Sequence, residues 1–305
     1  MQRNFLSTSG GGKVIKNITV IGGGTMGAGI AQVNAQNGYK VMVVDNDEFA
    51  QKCMVQVAKS LDILAKEKFP HEVRSQRKWY DDIISNIKTT QSLPKGCEQA
   101  DLLIESILED KEKKVKKWNQ LNKLVKDDCI LAAHTSSFSI KEVTAGIEAR
   151  HRVVGLHFFR PVWKMRLTEV IEIDATSKET MDTVIPYIHS IGKHPIRCKD
   201  TPGFIVNNLL YPYFMTALRF YEGGHASIED IDRAMKLGAG LPHGPFEFMD
   251  VVGLDRVRHV CDNWHTKYPD DPKYFPSPTL DEKVAQHKLG MKTKQGFYTY
   301  KTSLY

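Results

Sequence analysis

The strongest constraint on the fold is a short strand that runs into a glycine cluster, a helix and a second strand within residues 17–45. Residues 17–21 (NITVI) and 40–45 (KVMVVD) are rich in β-branched residues, and 25–37 have helical spacing. The pattern continues along the chain, with apolar runs at 101–105, 129–132 and 152–157 and helical spacing at 48–68 and 75–86. Strands that alternate with helices predict a mostly parallel sheet covered by helices on both faces.

The glycine cluster follows the G-x-G-x-x-G pattern of dinucleotide-binding turns through Gly22, Gly24 and Gly27. Gly22 allows a tight turn, Gly24 lets the backbone approach a pyrophosphate, and Gly27 lets the helix pack closely on the sheet. Thr25 and Met26 begin the helix, whose first N–H groups would meet the phosphate charge. Glycine clusters usually mark only turns, but this one lies between a strand and a helix, which favours a Rossmann-type, doubly wound α/β domain.

Asp45 ends the second strand, 18 residues after Gly27. A carboxylate at this place can accept hydrogen bonds from the adenosine ribose hydroxyls, whereas it would repel a 2′-phosphate. Asn46 and Asp47 supply no arginine that could attract such a phosphate. The sequence therefore predicts NAD as the cofactor, although a strand-terminal Asp that starts a turn is common in general.

The character of the chain changes near residue 200. Pro202 and Gly203 interrupt it, and the residues that follow lack β-branched runs but keep apolar positions at helical spacing. We therefore expect three parts: a flexible N-terminal segment over 1–16, an NAD-binding domain over 17–200, and a smaller all-α domain over 201–305.

The formal net charge of +6 fits a nucleic-acid binder or an enzyme whose ligands carry phosphates. Basic and acidic residues alternate along most of the chain, which favours the enzyme. The one dense basic run, Lys113, Lys114, Lys116 and Lys117, has helical spacing without interleaved aromatic residues and is expected to be a solvated helix face. We expect no nucleic-acid partner.

Other features of the sequence bear on the compartment. No apolar run approaches the roughly 20 residues that span a bilayer, so we expect a soluble protein without membrane contact. The five cysteines are scattered and form no C-x-x-C pair, which argues against disulfides and a metal site and favours a reducing compartment. Arg3, Lys13 and Lys16, with no acid in residues 1–16, weakly resemble a mitochondrial presequence. The mitochondrial matrix is the expected location, with the cytoplasm as the alternative.

A histidine and a glutamate are the candidates for proton transfer. Oxidation of an alcohol needs a base for the hydroxyl proton, and histidine titrates nearest neutral pH. His157 ends the apolar run VVGLH, and ligands of open α/β sheets bind beyond the carboxyl ends of strands. Glu169 opens another apolar strand after a turn that contains Pro161. If the two strands are antiparallel neighbours, the carboxylate can orient the ring and stabilise its charged form; otherwise, His157 is a hydrogen-bonded core residue.

Several motifs in order resemble the 3-hydroxyacyl-CoA dehydrogenase family in its stand-alone short-chain form over about residues 15–301. They are G-G-G-T-M-G-A-G-I-A-Q, G-L-H-F-F-R-P-V, E-V-I-E, K-D-T-P-G-F-I-V-N, A-M-K-L-G-A-G, G-P-F-E-F-M-D, G-L-D and G-F-Y. The resemblance implies reversible NAD-dependent oxidation of L-3-hydroxyacyl-CoA to 3-oxoacyl-CoA in fatty-acid β-oxidation. It also implies an acyl-CoA substrate held between two domains, and a homodimer formed through the helical domain.

The resemblance assigns roles to particular residues. His157 would be the catalytic base and Glu169 its orienting partner, while Ser136 and Asn207 would hold the substrate oxygen and the nicotinamide. It further places Glu109 and Lys114 near the NAD and Ser60 near the CoA. Without the family, Ser136 would be a helix N-cap before residues 140–143, Asn207 an ordinary helix residue, and Lys114 part of a solvated face.

Four positions depart from the family's usual residues. Arg160 and His134 each replace Asn beside the reaction centre, Glu67 replaces a residue that is often basic, and Lys294 replaces Gly. Arg160 could depress the pKa of the base or accept an anionic group. Two alternatives therefore stay open: a dehydrogenase of a small hydroxy acid such as L-gulonate, or a catalytically weak NAD-binding relative.

Overall fold

The structure is a computed structural model that describes residues 12–301. The chain divides between Phe204 and Ile205 into two compact units, an N-terminal unit and a C-terminal unit. Residues 1–11, which carry Arg3 and most of the expected flexible segment, lie outside the described residues.

The N-terminal unit is built on an eight-stranded sheet with the order β3-β2-β1-β4-β5-β6-β7-β8. Its strands are β1 (Asn17–Ile21), β2 (Lys40–Val44), β3 (Ile87–Thr90), β4 (Leu102–Glu105), β5 (Ile130–Ala133), β6 (Val153–Phe158), β7 (Leu167–Glu172) and β8 (His194–Lys199). All neighbouring pairs are parallel except β6 and β7, which are antiparallel.

Seven helices accompany these strands. They are α1 (Thr25–Gln36), α2 (Asp47–Lys68), α3 (Val73–Ile84), α4 (Leu93–Cys97), α5 (Lys111–Leu121), α6 (Ile140–Val143) and α7 (Lys178–Ser190), with a short 3-10 turn at Arg150–Arg152. Side chains of a strand alternate between the faces of a sheet, and here both faces are packed. Leu102 and Ile104 of β4 enter one buried cluster, while Leu103 enters the other. The predicted mostly parallel, doubly wound sheet is confirmed.

The two strands that the sequence did not predict, β3 and β8, are the two edges of the sheet. Both are partly exposed, and β8 has Pro195 as its second residue. An edge strand lacks a neighbour on one side and tolerates polar residues and proline, so it need not carry an apolar run. The missing hydrophobic signal therefore has a simple structural cause.

Residues 12–16, at the end of the segment expected to be flexible, pack on the N-terminal unit. Ile15 is buried, and the Lys13 backbone N–H donates to Thr183 Oγ1 at 3.0 Å. The Asp101 carboxylate accepts the backbone N–H groups of Lys16 and Asn17 at 3.0 and 2.9 Å. These contacts hold the chain in place just before β1.

The C-terminal unit is helical in its described part. Its helices are α8 (Val206–Glu222), α9 (Ile228–Gly238), α10 (Pro245–Val252), α11 (Leu254–Lys267) and α12 (Pro278–Ala285), with 3-10 turns at Pro272–Tyr274 and Met291–Thr293. Phe214, Phe246 and Trp264 lie in its buried core. The expected all-α character is confirmed. Within residues 12–301 no helix combines the length and the apolar character that crossing a membrane requires.

Two buried carboxylates connect parts of the C-terminal unit. Asp232 of α9 accepts the backbone N–H groups of Phe246 and Glu247, at 2.8 and 2.9 Å, where α10 begins. Asp250 of α10 accepts the backbone N–H groups of Phe297 and Tyr298, at 3.0 and 2.9 Å. The Tyr298 hydroxyl donates to Asp232 at 2.9 Å, so this tyrosine joins the two acids.

Candidate active site

The turn after β1 meets the steric demands of a dinucleotide-binding loop. Gly22 has φ +105°, and a Cβ there would lie 2.6 Å from the Ser106 carbonyl oxygen. A Cβ on Gly27 would lie 1.8 Å from the Gly22 carbonyl oxygen. Neither position has room for a side chain. At Gly24, in contrast, a Cβ would meet nothing within 4 Å among the described residues, so the backbone borders open space where a ligand can approach closely.

The helix that follows is suited to bind an anion. Gly24 is the N-cap of α1 and supplies no side-chain cap, and the first turn, with Thr25 and Met26, contains no acidic residue. The first N–H groups of a helix and its dipole favour a phosphate. Asp45 follows β2, and its carboxylate accepts the backbone N–H groups of Gly23 at 2.7 Å and Asn46 at 2.8 Å. The loop therefore fits a pyrophosphate, with the acid fixed beside it.

His157 and Glu169 are brought into direct contact by the antiparallel pairing of β6 and β7. The two residues are opposite each other in the register. His157 Nδ1 donates to Glu169 Oε2 at 2.6 Å, and the residues are only 4% and 1% exposed. Because the carboxylate is an acceptor, the proton lies on Nδ1, which leaves Nε2 as the nitrogen that can take up a proton. The contact between these two residues was expected only if their strands were antiparallel neighbours, and β6 and β7 are.

Three rings surround the His157 imidazole. The ring centroids of Phe159, Phe204 and His134 lie 4.4, 5.6 and 6.0 Å from it. Phe204, the last residue of the N-terminal unit, has φ +56°, an uncommon conformation for a residue other than glycine. The imidazole is thus enclosed by aromatic side chains on several sides, which restricts its orientation.

His134 replaces the family's usual Asn and is itself buried. Its Nδ1 donates to the Leu156 carbonyl oxygen at 2.9 Å. Burial, and after it the neighbouring His157, lower the pKa of His134 well below its ordinary value. His134 is therefore a neutral ring beside His157 and does not compete for the proton near neutral pH.

Lys114 contradicts the expectation of a solvated helix face. Its side chain is fully buried, whereas Lys113 and Lys116 of the same run are exposed. Lys114 Nζ donates to Glu105 Oε1 at 2.8 Å and to the His134 carbonyl oxygen at 2.9 Å. Glu105 ends β4, and burial raises the pKa of its carboxyl despite Lys114. These two hydrogen bonds hold the Lys114 ammonium group in one place.

Glu109 connects this lysine to the T-S-S segment. Its Oε2 lies 3.6 Å from Lys114 Nζ, and its Oε1 accepts hydrogen bonds from Thr135 Oγ1 at 2.5 Å, the Ser136 N–H at 2.9 Å and Ser137 Oγ at 2.9 Å. Burial opposes ionisation of this carboxyl, but Lys114 and these donors prevail and lower its pKa. Glu109, Lys114 and Ser136, all singled out from the sequence, are therefore neighbours.

The interpretation of Ser136 as a helix N-cap is wrong. The N-cap of α6 is Ser139, whose Oγ accepts the Glu142 N–H at 3.3 Å. Ser136 precedes the cap by three residues, and its own Oγ donates to Glu109 at 3.3 Å. The segment contains several serines, and sequence alone did not show which one caps the helix.

The remaining predicted residues and the positions that depart from the family lie on other elements. Ser60 lies within α2, and its Oγ is buried with no hydrogen-bond partner in residues 12–301. Asn207 is the second residue of α8 in the C-terminal unit. Arg160 and Glu67 are exposed. Lys294 has φ +60°, a conformation that favours glycine, in agreement with the residue usual in the family.

Some residues of this region were not predicted from the sequence. Glu105 had a usable signal, because it ends a buried strand, and Asp45 and His157 lie within one residue of the ends of theirs. Phe204 and Trp118 had none. The Trp118 indole N–H donates to Glu105 Oε2 at 3.1 Å, a contact that depends on how α5 packs against β4.

Comparison with known proteins decides the family. The NAD-binding domain model of 3-hydroxyacyl-CoA dehydrogenase matches residues 17–201, and the C-terminal domain model matches residues 203–300. The chain belongs to the 3-hydroxyacyl-CoA dehydrogenase family. The predicted family, the enzyme class and NAD as the cofactor are thereby confirmed.

Individual members of the family agree over nearly the whole chain. The chain is 44% identical to the mitochondrial hydroxyacyl-coenzyme A dehydrogenase of Rattus norvegicus over 94% of this chain and 92% of the relative. It is 39% identical to the 3-hydroxybutyryl-CoA dehydrogenase of Clostridioides difficile, over 93% and 99% of the two chains. The crystal structure of (S)-3-hydroxybutyryl-CoA dehydrogenase from Ralstonia eutropha superposes with a TM-score of 0.87 at 37% identity, covering 94% of this chain and all of that one.

Proposed function

We propose that this member of the family oxidises L-3-hydroxyacyl-CoA to 3-oxoacyl-CoA with NAD, reversibly, as a step of fatty-acid β-oxidation. The observation that carries the proposal is the 2.6 Å hydrogen bond from His157 Nδ1 to Glu169. It leaves Nε2 to act as a general base. The names of the rat and Clostridioides relatives support the CoA thioester as the substrate class.

In the proposed reaction, Nε2 of His157 removes the proton of the 3-hydroxyl group as the C3–H bond breaks. NAD supplies the acceptor for the hydride. The C–O bond becomes a carbonyl, and the carboxylate of Glu169 stabilises the charge on the imidazolium. In the reverse direction the imidazolium returns its proton to the carbonyl oxygen as the hydride adds to C3.

Further residues are proposed to hold the ligands. Ser136 and Asn207 would donate to the substrate oxygen, where negative charge develops when the ketone is reduced. Glu109 and Lys114 would border the NAD, and the burial and pairing of Lys114 keep Glu109 and its serine donors in a defined arrangement. By the resemblance to the family, Ser60 of α2 would lie near the CoA.

The test is NADH oxidation by the purified protein with acetoacetyl-CoA. We expect turnover, and we expect His157→Gln to lower kcat by about 10²–10⁴-fold while NADH binding persists. Absence of turnover with acetoacetyl-CoA would contradict the proposal. Activity with L-gulonate in its place would indicate the hydroxy-acid alternative, in which exposed Arg160 recruits a carboxylate. Tight NADH binding without turnover of either substrate would indicate a catalytically weak relative.

We also propose that the protein is a homodimer formed through the C-terminal unit. That unit exposes large apolar side chains, with Leu209, Phe220 and Leu237 at 68%, 50% and 80% exposure. A contiguous exposed apolar patch marks an interaction surface, and these three side chains are the candidates for one. Light scattering after gel filtration should give twice the chain mass, and Leu237→Lys should shift it towards the monomer. A wild-type monomer would refute this assignment.

The mitochondrial matrix is the proposed location. The rat relative is named as mitochondrial, and residues 1–16 are basic and acid-free. A fusion of the full chain to a fluorescent protein should localise to mitochondria, and replacing Arg3, Lys13 and Lys16 by Gln should abolish this. A uniform cytoplasmic signal from the unaltered chain would favour the alternative.

A further inference from the structure

The loop that joins β6 to β7 is held on one side by a buried lysine. This loop, residues 159–166, begins directly after the strand that carries His157. Lys193 lies in the turn between α7 and β8 and is 5% exposed. Its Nζ donates to the Val162 carbonyl oxygen and, at 2.6 Å, to the Met165 carbonyl oxygen. Two of the three ammonium donors thus bind the backbone of the loop.

The same loop is held on its other side by α1, the helix that begins at the dinucleotide-binding turn. Val162 is 3% exposed, and a Cβ on Gly29 of α1 would lie 2.8 Å from both Cβ and Cγ2 of Val162. Only a glycine allows this approach. The Val162 side chain therefore rests on the helix, while its carbonyl group is bound by Lys193.

We propose that Lys193 is a positioning residue for the reaction, which clamps the loop after β6 against α1 and so aligns His157 with the dinucleotide-binding helix. The inference rests on the proposed role of His157 as the base. Phe159, the first residue of the loop, lies against the His157 ring with centroids 4.4 Å apart, so displacement of the loop is transmitted to the imidazole. Lys193 acts through the backbone of the loop and touches neither substrate nor cofactor.

A lysine suits this task because a charged donor to a carbonyl oxygen makes a stronger hydrogen bond than a neutral donor. Burial lowers the pKa of the Lys193 amine to about 8. The two carbonyl oxygens favour the charged form, so the amine keeps its proton near neutral pH. The clamp is therefore charged near neutral pH.

The expected effect follows from the sensitivity of proton and hydride transfer to geometry, where a misplacement of about 1 Å costs on the order of 10²-fold in rate. Lys193→Met keeps the length of the side chain but removes all three donors. We expect kcat for acetoacetyl-CoA reduction to fall about 10- to 100-fold. NADH affinity, measured by fluorescence titration, should stay within about twofold of wild type, because the turn after β1 is unchanged. Lys178→Met, an exposed lysine of α7, is the matched control and should leave both quantities unchanged.

A double-mutant cycle separates positioning from general stability. In a His157→Gln background the base is absent, so Lys193→Met should change the residual rate by less than about twofold. Equal losses of kcat in both backgrounds, or an unchanged kcat in the single variant, would overturn the inference. Full activity of His157→Gln itself would instead refute the proposed function.

A second variant covers the case in which Lys193→Met does not fold. Gly29→Ala leaves the lysine in place but adds a Cβ that must displace Val162 from the other side. It should likewise lower kcat in the wild-type background and have little further effect with His157→Gln. An unchanged kcat in Gly29→Ala, or equal losses in both backgrounds, would count against the clamp.

Discussion

Buried carboxylates occur in both units of the chain, but their partners differ. In the N-terminal unit, Glu169 and Glu105 each contact a side-chain nitrogen that carries a proton, on His157 and Lys114. In the C-terminal unit, the hydrogen bonds to Asp250 come from backbone N–H groups and from the Tyr300 hydroxyl at 2.9 Å. The carboxylate of Glu169, beside an imidazole, can support proton transfer, whereas Asp250 holds segments of the C-terminal unit together.

Burial raises the pKa of Glu105 as it does that of the acids in the C-terminal unit, but the groups that oppose it differ. It raises the pKa of both Asp232 and Asp250, against the lowering effect of their backbone donors. These acids are tolerated because their oxygens are hydrogen-bonded. Lys114, in contrast, is retained deep in the N-terminal unit beside two carboxylates, where a charge needs partners of opposite sign. We therefore predict that a change at Glu169 acts mainly on rate, whereas changes at Lys114 and at the acids of the C-terminal unit act mainly on stability.

The largest effect is expected for Glu169→Gln. The amide can no longer stabilise the imidazolium and can favour the wrong tautomer of His157, so kcat should fall by about 10²–10⁴-fold. Steady-state kinetics with acetoacetyl-CoA and NADH, together with NADH titration, would measure it. A loss of less than about fivefold would place the comparison in doubt, because Glu169 would then resemble the acids of the C-terminal unit.

Lys114→Met should give the next largest effect, on stability. Removal of the ammonium group leaves Glu105 buried without its cation, and breaking a buried pair in this way costs about 3–5 kcal/mol. Urea unfolding would report the loss. Lys113→Met, an exposed lysine of the same helix, is the control and should change stability by no more than about 0.5 kcal/mol. Similar values for the two variants would restore the solvated-face interpretation of Lys114.

Asp250→Asn should have a smaller effect, on stability alone. Its amide group would face the Tyr298 N–H and the Tyr300 hydroxyl, both of which are donors, at a cost of about 1–3 kcal/mol. Thermal unfolding should show the loss, while kcat per folded molecule should stay within about twofold of wild type. A drop in kcat that matches that of Glu169→Gln would erase the distinction between the two kinds of buried acid.

The smallest effect is expected for His134→Asn. Because burial holds the pKa of His134 well below the ordinary histidine value of about 6.5, the ring is neutral near neutral pH. The acid limb of kcat against pH should therefore have unit slope in the wild type, and the variant should keep the same slope. A slope of two in the wild type that falls to one in the variant would show that both histidines titrate.

Several features of the site could be predicted from sequence because they are local. The strand, glycine turn and helix around Gly22, Gly24 and Gly27 lie within a few residues, and neither Gly22 nor Gly27 has room for a side chain. Strands β1, β2 and β4 to β6 were recognisable because buried strands carry unbroken apolar runs. Asp45 and His157 could be selected because they lie at the ends of these recognisable apolar runs.

Other features escaped prediction because they depend on residues far apart in the chain. Lys114 belongs to a run of lysines that looks uniform in sequence, but only this one points at Glu105. Lys193 meets the loop that begins at residue 159 only because β8 pairs with β7. The edge strands lacked an apolar signal, since one side of each has no neighbour in the sheet.

The amino-acid sequence by itself determined the order of the buried strands, the dinucleotide-binding turn and the residue types able to move a proton, because backbone preference and hydrophobic pattern act over short distances. Only the tertiary structure decided which buried charges meet. Packing sets the register that places His157 opposite Glu169, and it encloses Lys114 between two carboxylates. Charges interact strongly when they are buried and close, and both conditions arise only when distant segments are packed together.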